Sequence, residues 1–401
     1  METALGGIRV LELCSMVAGP FCTKVMADMG AEVLKVERPG IGDEARRRGP
    51  FPGDSPHPER SGLFLYLNTN KLGITLDYTT AKGSGILKEM VKGYDVIVED
   101  NPPGALTRLG LGYEQLSELN PGLIMTSITP FGQTGPYRDY KAYPLNSIHS
   151  SGEGYVTPSG TPFRDRPPVK LGGFAGEYEV GIYSALGTLV ALYFTSCTGL
   201  GQHIDVSKQE ALTISCLFDH LPYTMVGMTV SRLMPRIPET GVVPCKDGHI
   251  MCVSLEQTFW QRIKRLMGEP EWTQSDWYQD QDSRREHAPE VRRRLEEWAS
   301  TRTKKELHEG ALKEGVALSP FLTPWEILQS ELLRSRGFFT EIEYPQLGKV
   351  TCITAPYHFS RTSWRCERAA PMLGEHNEDI YCGRLGYTRE ELAKLAELEV
   401  V

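Results

Sequence analysis

Apolar residues in the first third of the chain recur in short runs that alternate with segments of helical spacing. Residues 8–13 form a short β-rich run, and residues 21–29 follow with apolar side chains at helical spacing before Gly30 ends the segment. Strand-like runs recur at 32–36, 74–77, 95–98 and 123–128, with helical segments at 84–91 and 113–119. This alternation predicts a parallel sheet covered by helices, joined by right-handed crossovers. Functional residues should then lie at the carboxyl ends of the strands.

The rest of the chain changes pattern twice. Residues 136–170 are rich in Gly, Pro and Ser and predict a loop, followed by a long helix at 176–194, a strand at 202–206 and a helix at 208–220. A strand at 249–255 and a charged helical stretch at 284–314 indicate a second, smaller α/β domain. We therefore predict a large domain beginning with residues 1–222, a small domain at 223–324, and a linker with a C-terminal segment at 325–401. That last segment contains a strand at 349–354 and a helix at 389–398.

The amino-acid composition limits which molecules the protein could bind and in which compartment it works. The chain has 43 Lys and Arg against 51 Asp and Glu, a net charge of −8, which argues against nucleic acid as the main partner. Acidic substrates would need local Lys and Arg sites. The nine cysteines form no CxxC pair and indicate free thiols in a reducing compartment. The N-terminal residues lack the features of a signal peptide, so we expect a cytoplasmic protein.

One segment requires a test for membrane insertion. Residues 180–197 carry no charge, but they are interrupted by small or polar residues and barely reach the roughly 18–20 residues of a membrane span. The pattern therefore favours a buried helix.

Common catalytic motifs are missing from the sequence. It contains no GxSxG, HExxH or GxxxxGK[ST] motif, and no GxGxxG between a strand and a helix. The nine histidines do not pair at i, i+4, so we expect no metal site. Chemistry in this protein would have to use carboxylates, amides and backbone donors.

Five features are candidates for such chemistry, and each has an ordinary alternative. A turn, a solvated charge or a carboxylate that stabilises a helix N-terminus would explain any one of them. They are the strand-to-helix turn Val17 to Pro20, Arg38 after a strand, Asn68 to Lys71, the loop Gly132 to Tyr137, and Glu177 with Glu179 at the start of the most apolar helix.

Ordered sequence blocks across nearly the whole chain resemble the class III CoA-transferases, the formyl-CoA and carnitine-CoA transferase family. The blocks are GGIRVLEL, VAGPFCTKVMADMGAEVLKVERPG, LNTNKLGITLD, GALTRLGLGYEQLSELNPGLI, FGQTGPY, TGLGQHIDVSKQEAL and APMLGEHNEDI. The resemblance implies a Rossmann-like large domain, a small domain and a C-terminal stretch that returns to the large one. It also implies a dimer whose two chains pass through each other like interlocked rings.

The resemblance implies a chemistry as well. In the family an aspartate attacks the acyl-CoA and forms a mixed anhydride, which the CoA thiolate converts to an enzyme–CoA thioester before CoA passes to the acceptor acid. The matching position here is Glu177. Coenzyme A thioesters would be substrates, with no permanently bound cofactor and no metal. The implied CoA contacts are Val17, Ala18, Arg38, Lys71, Arg108 and Lys141.

Several positions depart from the family pattern. Glu177 stands in place of the aspartate, and its extra methylene moves the carboxylate by roughly 1.5 Å. A misplacement of about 1 Å can cost on the order of 100-fold in rate. The family's ENFRPG loop reads EDNPPG at residues 99–104, so it lacks the aromatic and the Arg and gains Asp100. Leu72 replaces a basic residue, and the small domain has no glycine-run loop.

These departures lead us to the hypothesis of a subunit that lacks the nucleophile and pairs with a catalytic paralogue. A homodimeric transferase that uses Glu177 is the nearer alternative. A more distant one is a 2-methylacyl-CoA racemase-like isomerase, whose proton-transferring His would fall at Tyr143, with His149 close but off register. Aromatic residues near the expected site would suit a bulky or arylated acceptor acid; they are Tyr143, Tyr155, Phe174 and Tyr178.

Overall fold

The structure is a computed structural model that describes residues 3–159, 161, 163–215, 217–234, 238–254 and 256–401. The chain divides into two compact units. The first comprises residues 1–158, 166–230 and 336–401, and the second comprises 159–165 and 231–335. The limits of the second unit lie a few residues later in the chain than the predicted limits of 223 and 324.

A six-stranded parallel sheet forms the centre of the first unit. Its strands are β1 (Arg9–Leu13), β2 (Glu32–Glu37), β3 (Lys71–Thr75), β4 (Val96–Glu99), β5 (Ile124–Thr129) and β6 (His203–Ser207). They lie in the order β3-β2-β1-β4-β5-β6, and every neighbouring pair is parallel. The predicted α/β fold is therefore confirmed. The order reverses between β1 and β4, and in open sheets of this kind ligands bind beyond the carboxyl ends of the strands at that point.

Helices cover both faces of this sheet. They are α1 (Ala18–Asp28), α2 (Gly62–Leu67), α3 (Ala81–Val91), α4 (Ala105–Arg108), α5 (Tyr113–Leu119), α6 (Pro144–Ser150), α7 (Glu153–Val156), α8 (Ala175–Thr198), α9 (Lys208–Ser215), α10 (Leu217–Val226) and, near the C-terminus, α18 (Arg389–Glu397). Successive residues of a strand point to opposite faces of the sheet. Leu11 packs on the face covered by α3, α5 and α18, whereas Val10 packs on the face covered by α1, α8 and α9. Strands buried on both faces explain the nearly continuous apolar runs in the sequence.

The long helix α8 is less buried than its composition predicts. Val180 and Ala185 face the core, but Ile182, Leu186 and Val190 on the opposite side are more than half exposed. By length and composition alone, Ala175–Thr198 could cross a membrane. The prediction of a buried helix is correct for one face only. On the other side, Ile182 and Leu186 line an apolar groove together with Phe338, Ile353 and Tyr357.

Two predicted elements are corrected by the structure, and a third is confirmed with a strand partner that was not predicted. The strand predicted at 74–77 is β3, which begins at Lys71 and ends at Thr75, so the Lys71 side chain belongs to the sheet. The predicted loop at 136–170 contains α6 and α7. The strand predicted at 349–354 is β11 (Gly348–Ile353), which pairs with β10 (Phe339–Tyr344) in an antiparallel hairpin that the sequence pattern did not reveal.

The second unit has its own small sheet and core. The strands β7 (Gly241–Cys245), β8 (Gly248–Val253) and β9 (Ala317–Pro320) form an antiparallel sheet in the order β7-β8-β9. Its helices are α11 (Gln257–Leu266), α12 (Asp276–Gln279), α13 (Gln281–Glu286), α14 (Ala288–Ser300), α15 (Lys304–Glu314), α16 (Pro324–Leu328) and α17 (Glu331–Ser335). Fully buried Trp260 packs in the centre of its core. The end of the predicted strand, Leu255, and Cys216 in the predicted helix 208–220 lie outside the described residues.

Candidate active site at the carboxyl edge of the sheet

Three consecutive residues of the loop between β1 and α1 are each held by a different partner. Lys35 Nζ donates to the Cys14 carbonyl at 3.0 Å, and the Ser15 N–H donates to the Asp100 carboxylate at 3.0 and 3.3 Å. The Met16 N–H donates to Asp43 Oδ1 at 2.9 Å, although Met16 adopts a left-handed φ of 66°. Such a backbone conformation persists only where the surroundings hold it. The loop therefore presents the first turn of α1 in a fixed geometry.

Val17 and Ala18, two of the predicted CoA contacts, stand at the start of this turn. Both residues are buried as a whole, backbone included, so their contact with CoA stays a prediction. Gly19 has a steric requirement of its own, since a Cβ at this position would approach the Cys14 Sγ to 2.3 Å. A small residue is thus needed where α1 crosses the end of β1.

A buried cluster of four charges lies beneath the loop. Lys35 Nζ contacts Glu12 Oε1 at 2.7 Å and Asp43 Oδ2 at 2.8 Å, and Lys71 Nζ contacts Glu12 Oε2 at 2.8 Å. All four side chains are almost fully buried. Burial would raise the pKa of Glu12, but the ammonium groups of Lys35 and Lys71 prevail and lower it to about 2. Glu12 is therefore ionised at neutral pH and holds three strands together.

The position of Lys71 bears on its predicted contact with CoA. Its Nζ donates to Glu12, to the Pro20 carbonyl at 2.8 Å and to Asn68 Oδ1 at 2.9 Å. An ammonium group has three N–H donors. All three are occupied inside the protein, which leaves none for a phosphate in this arrangement. A role for Lys71 in CoA binding stays a prediction.

Glu177 lies in the first turn of the 24-residue helix α8 and is only 5% exposed. Lys208, the residue that directly follows β6, donates from Nζ to Glu177 Oε2 at 2.7 Å. Among the described residues, Oε1 accepts no hydrogen bond. A buried carboxylate is ionised only when a cation or several donors compensate the loss of water. Lys208 supplies that cation and leaves one oxygen unengaged.

The start of α8 lies beside the start of α1. The rings of Phe21 and Tyr178 meet edge to face with centroids 4.8 Å apart. One turn further along α8, a Cβ on Gly181 would come within 2.8 Å of the Ala18 carbonyl oxygen. The close approach of the two helices explains why a glycine stands there. Glu177 stands one turn before Gly181 and therefore on the side of α8 that faces α1, whose first-turn N–H groups are of the kind that stabilises a negatively charged oxygen.

Asp100 approaches the same site from the end of β4. Burial raises the pKa of its carboxyl to about 7, and the Ser15 N–H bonds and the charge of Lys208 offset only part of this effect. The nearby Cys14 and Cys22 are poor nucleophiles, because burial raises the pKa of Cys14 well above its usual value and that of Cys22 to about 12. The carboxylate of Glu177 is therefore better suited than either thiol to attack a thioester.

The other basic residues predicted to contact CoA are exposed. Arg38 follows β2, Arg108 ends α4 after β4, and Lys141 lies in the segment after β5. All three thus occur after strands whose carboxyl ends share one edge of the sheet. They are available to an anionic ligand, in contrast to Lys71.

The residues of the isomerase alternative lie at the start and near the end of α6. Tyr143 is 77% exposed and caps the start of α6, and His149 is exposed near the end of the same helix. An exchange of an α-proton needs two positioned acid–base groups. These two side chains provide no such arrangement. Among the residues that the structure describes, no group of three His, Cys, Asp or Glu side chains could hold a metal ion.

Sequence reasoning missed Lys208, Lys35 and Asp43. Lys35 and Glu12 each interrupt an apolar strand run, and a charge in such a run is a sign of a buried ion pair. The indication that Lys208 belongs to the site was weaker, namely its position directly after a predicted strand. The two partners of the Glu177–Lys208 pair are separated by 31 residues, so no spacing rule could have joined them.

Comparison with known proteins identifies the class. A model of CoA-transferase family III matches residues 5–377, and the chain belongs to this family. It is 33% identical to the succinyl-CoA–D-citramalate CoA-transferase of Chloroflexus aurantiacus over 402 residues, which cover 99% of this chain and 98% of the relative. It is 32% identical to a formyl-CoA:oxalate CoA-transferase of Rhodopseudomonas palustris, covering 98% and 96% of the two chains.

A solved structure supports the same assignment. The crystal structure of a CAIB/BAIF family protein from Brucella suis aligns with a TM-score of 0.85 at 28% identity, covering 96% of this chain and all of the other. The resemblance inferred from the sequence blocks is thereby confirmed, and the protein is a class III CoA-transferase by family.

Proposed function

We propose that this protein transfers CoA from an acyl-CoA to a carboxylic acid and that Glu177 carries the CoA between them. The observation that supports this most directly is the Glu177–Lys208 ion pair at 2.7 Å. It gives a buried carboxylate the positive partner that its ionised form needs. Only the ionised form has the electron pair to attack a thioester.

The reaction proceeds through two anhydrides and one enzyme thioester. A Glu177 oxygen attacks the thioester carbonyl, the C–S bond breaks, and CoA leaves as a thiolate from the mixed anhydride. The thiolate attacks the Glu177 carbonyl, which frees the donor acid and forms a glutamyl–CoA thioester. The acceptor carboxylate attacks that thioester, and the returning thiolate attacks the acceptor's acyl carbon, so Glu177 is regenerated. Each anionic step benefits from Lys208 and from first-turn N–H groups of α1.

Substrate classes follow from the relatives and from the walls of the site. The similar proteins are named for succinyl-CoA and formyl-CoA as donors and for small di- and hydroxy acids as acceptors. We infer succinyl-CoA as a donor of this protein. Phe174 and Tyr178 flank Glu177 in the chain, and both pack against the same apolar cluster. They would suit an acceptor with a bulky or aromatic group, such as (R)-2-benzylsuccinate of anaerobic toluene degradation.

A trapping experiment tests the role of Glu177. Acyl-CoA is added without acceptor, and hydroxylamine or borohydride then converts any enzyme thioester to a stable product that peptide mass spectrometry locates. We expect the label on Glu177 in the wild type and none in Glu177→Gln. Glu177→Asp is the matched control, because it keeps the charge and restores the residue that the family resemblance implies. Full transfer activity without a label would overturn the proposal.

A second candidate is the subunit that lacks its own nucleophile and pairs with a catalytic paralogue. It is supported by the weakly equipped CoA side of the site: Lys71 is occupied internally, Leu72 offers no charge, and Asp100 adds an acid. Co-purification with the paralogue followed by Glu177→Ala distinguishes the candidates. Near-complete loss of activity favours Glu177 as nucleophile, whereas retained activity favours the paired subunit.

Both candidates imply a dimer, and the exposed apolar side of α8 is suited to pack against the second chain. Ile182, Leu186 and Val190 form an apolar stripe on this helix. We infer that it packs against the partner chain of an interlocked dimer rather than against lipid, since the helix is part of the sheet's core on its other side. Acyl-CoA substrates fit a cytoplasmic location. Light scattering of the purified protein measures the assembly.

A further inference from the structure

Two arginine side chains converge on the loop that follows β4. A Cβ on Gly104 would lie 3.0 Å from Arg138 Nη2 and 3.4 Å from Arg108 Nη1. Because both distances are measured from the same point, Arg138 Nη2 and Arg108 Nη1 can be no farther apart than the sum of the two distances. Arg108 comes from α4 after β4, and Arg138 comes from the segment after β5. Both segments follow neighbouring strands at the carboxyl edge of the sheet, the edge that also carries Glu177.

Little inside the protein balances these two charges. Arg138 has one acidic neighbour, Asp139, with Nε and Oδ1 3.8 Å apart and the carboxylate 84% exposed. Among the described residues Arg108 forms no ion pair. Two unit charges closer than about 7 Å repel each other by at least about 0.6 kcal/mol in water. An anion between the two guanidinium groups would turn this net repulsion into net attraction. Guanidinium groups bind phosphate through paired N–H donors.

An aromatic surface stands next to Arg138 on the same segment. The rings of Tyr137 and Tyr140 stack with centroids 5.1 Å apart and an angle of 20°, and Phe131 supports Tyr137 from its edge. Both tyrosines are at least half exposed. The segment is anchored where the Gln133 N–H donates to both oxygens of Asp205. Ordered, exposed rings beside a cation are a common platform for a purine base.

We propose that Arg108 and Arg138 form a clamp for one phosphate group and that Tyr137 and Tyr140 provide a stacking surface for the attached base. The ligand that unites these chemistries in this family is the 3′-phosphoadenosine end of CoA, whose phosphate monoester carries about −1.5 to −2 charges at neutral pH. This inference rests on the proposed function, because it assumes that the chain binds an acyl-CoA. It adds Arg138, Tyr137 and Tyr140 to the residues that the sequence assigned to CoA.

Titration calorimetry with CoA, dephospho-CoA and adenosine 3′,5′-bisphosphate tests the clamp without any turnover. Dephospho-CoA lacks only the 3′-phosphate. We expect Arg138→Ala to weaken CoA and the bisphosphate by about tenfold or more, since a hydrogen-bonded charge pair is lost, and to leave dephospho-CoA within about twofold. Arg138→Lys should retain part of the affinity as a single point charge.

A matched control is Arg285→Ala in the second unit, whose side chain is 50% exposed against 44% for Arg138 and whose loss should leave all three affinities unchanged. Circular dichroism and thermal unfolding verify that each variant is folded. Equal weakening of CoA and dephospho-CoA, no weakening of either, or no binding of any probe by the wild type would overturn the clamp.

The clamp and the proposed function can fail separately. Binding of the bisphosphate that depends on Arg138, without any CoA transfer, would retain the clamp and reject the function. CoA transfer with equal affinity for CoA and dephospho-CoA would retain the function and reject the clamp.

Discussion

Basic residues at the carboxyl edge of the sheet fall into two groups with opposite surroundings. The inner group, Lys35 and Lys71, is fully buried and bonded to Glu12, Asp43 and backbone oxygens. The outer group, Arg108 and Arg138, is exposed and has one distant acidic neighbour among the described residues. In the primary sequence both kinds of residue simply stand within or after a strand.

The difference separates stability from ligand binding. A buried cation that is removed leaves an uncompensated buried anion, whereas an exposed one leaves water in its place. Mutation of the inner group should therefore damage folding, and mutation of the outer group should damage affinity. Substitutions of Lys71 and Arg108 test that division directly, and substitutions of Lys208 and Asp100 test the charges that lie between the two groups in burial.

Lys71→Met should lower the free energy of unfolding by about 3–5 kcal/mol, because Glu12 then keeps a single ammonium partner. Chemical denaturation at pH 7 measures the change. Lys141→Met, at an exposed lysine that the family resemblance also assigns to CoA, is the control and should stay within about 0.5 kcal/mol. Unchanged stability combined with weaker CoA binding would make Lys71 a ligand contact and remove the distinction between the groups.

Lys208→Met should lower kcat by about 100-fold, as loss of one stabilising donor at a developing charge commonly does. Steady-state kinetics at pH 7 measures the change, and exposed Lys92→Met should behave as the wild type. Full activity of Lys208→Met at pH 7 would favour the paired-subunit candidate.

Asp100→Asn should change how stability depends on pH. Burial raises the pKa of Asp100 to about 7, whereas an unfolded aspartate has a pKa near 3.9. Between these values the folded protein binds more protons than the unfolded chain, so the wild type loses stability as pH rises. The variant lacks this loss. The full difference of about 3 pKa units would be worth about 4 kcal/mol, and because Asp100 is only half-buried, solvent screening reduces the expected gain to the order of 1–2 kcal/mol relative to the wild type by pH 8.

Thermal unfolding between pH 4 and pH 8 measures this difference. Asp139→Asn, at an 84% exposed carboxylate, serves as the control and should give a curve parallel to that of the wild type. Parallel curves for Asp100→Asn as well would mean that Asp100 is solvated.

Arg108→Ala should leave the free energy of unfolding within about 0.5 kcal/mol of the wild type. Its effect should appear in the KM for acyl-CoA instead, and it should shrink as salt rises from 0.05 to 0.5 M, because exposed charges are screened. A loss of stability larger than that of Lys141→Met would place Arg108 with the inner group.

Much of the fold could be predicted from the sequence, since each strand of the parallel sheet is a short apolar run and each crossover has helical spacing. The errors have physical reasons. The apolar pattern begins the strand after Lys71, because charged side chains seldom occupy buried strands. It predicts no helix at α6 or α7, because a segment rich in Gly and Pro has low helix propensity, which tertiary packing overrides.

The sequence by itself determined the α/β alternation, the family and the candidate carboxylate Glu177, because those depend on local pattern and on ordered blocks along the chain. The tertiary structure decided which charges face each other. It paired Lys208 with Glu177 and buried Lys71 against Glu12. It also brought Arg138 close to Arg108, although the two residues lie on the loops after different strands. Electrostatic partners depend on distance and burial, and folding alone sets both for residues far apart in the chain.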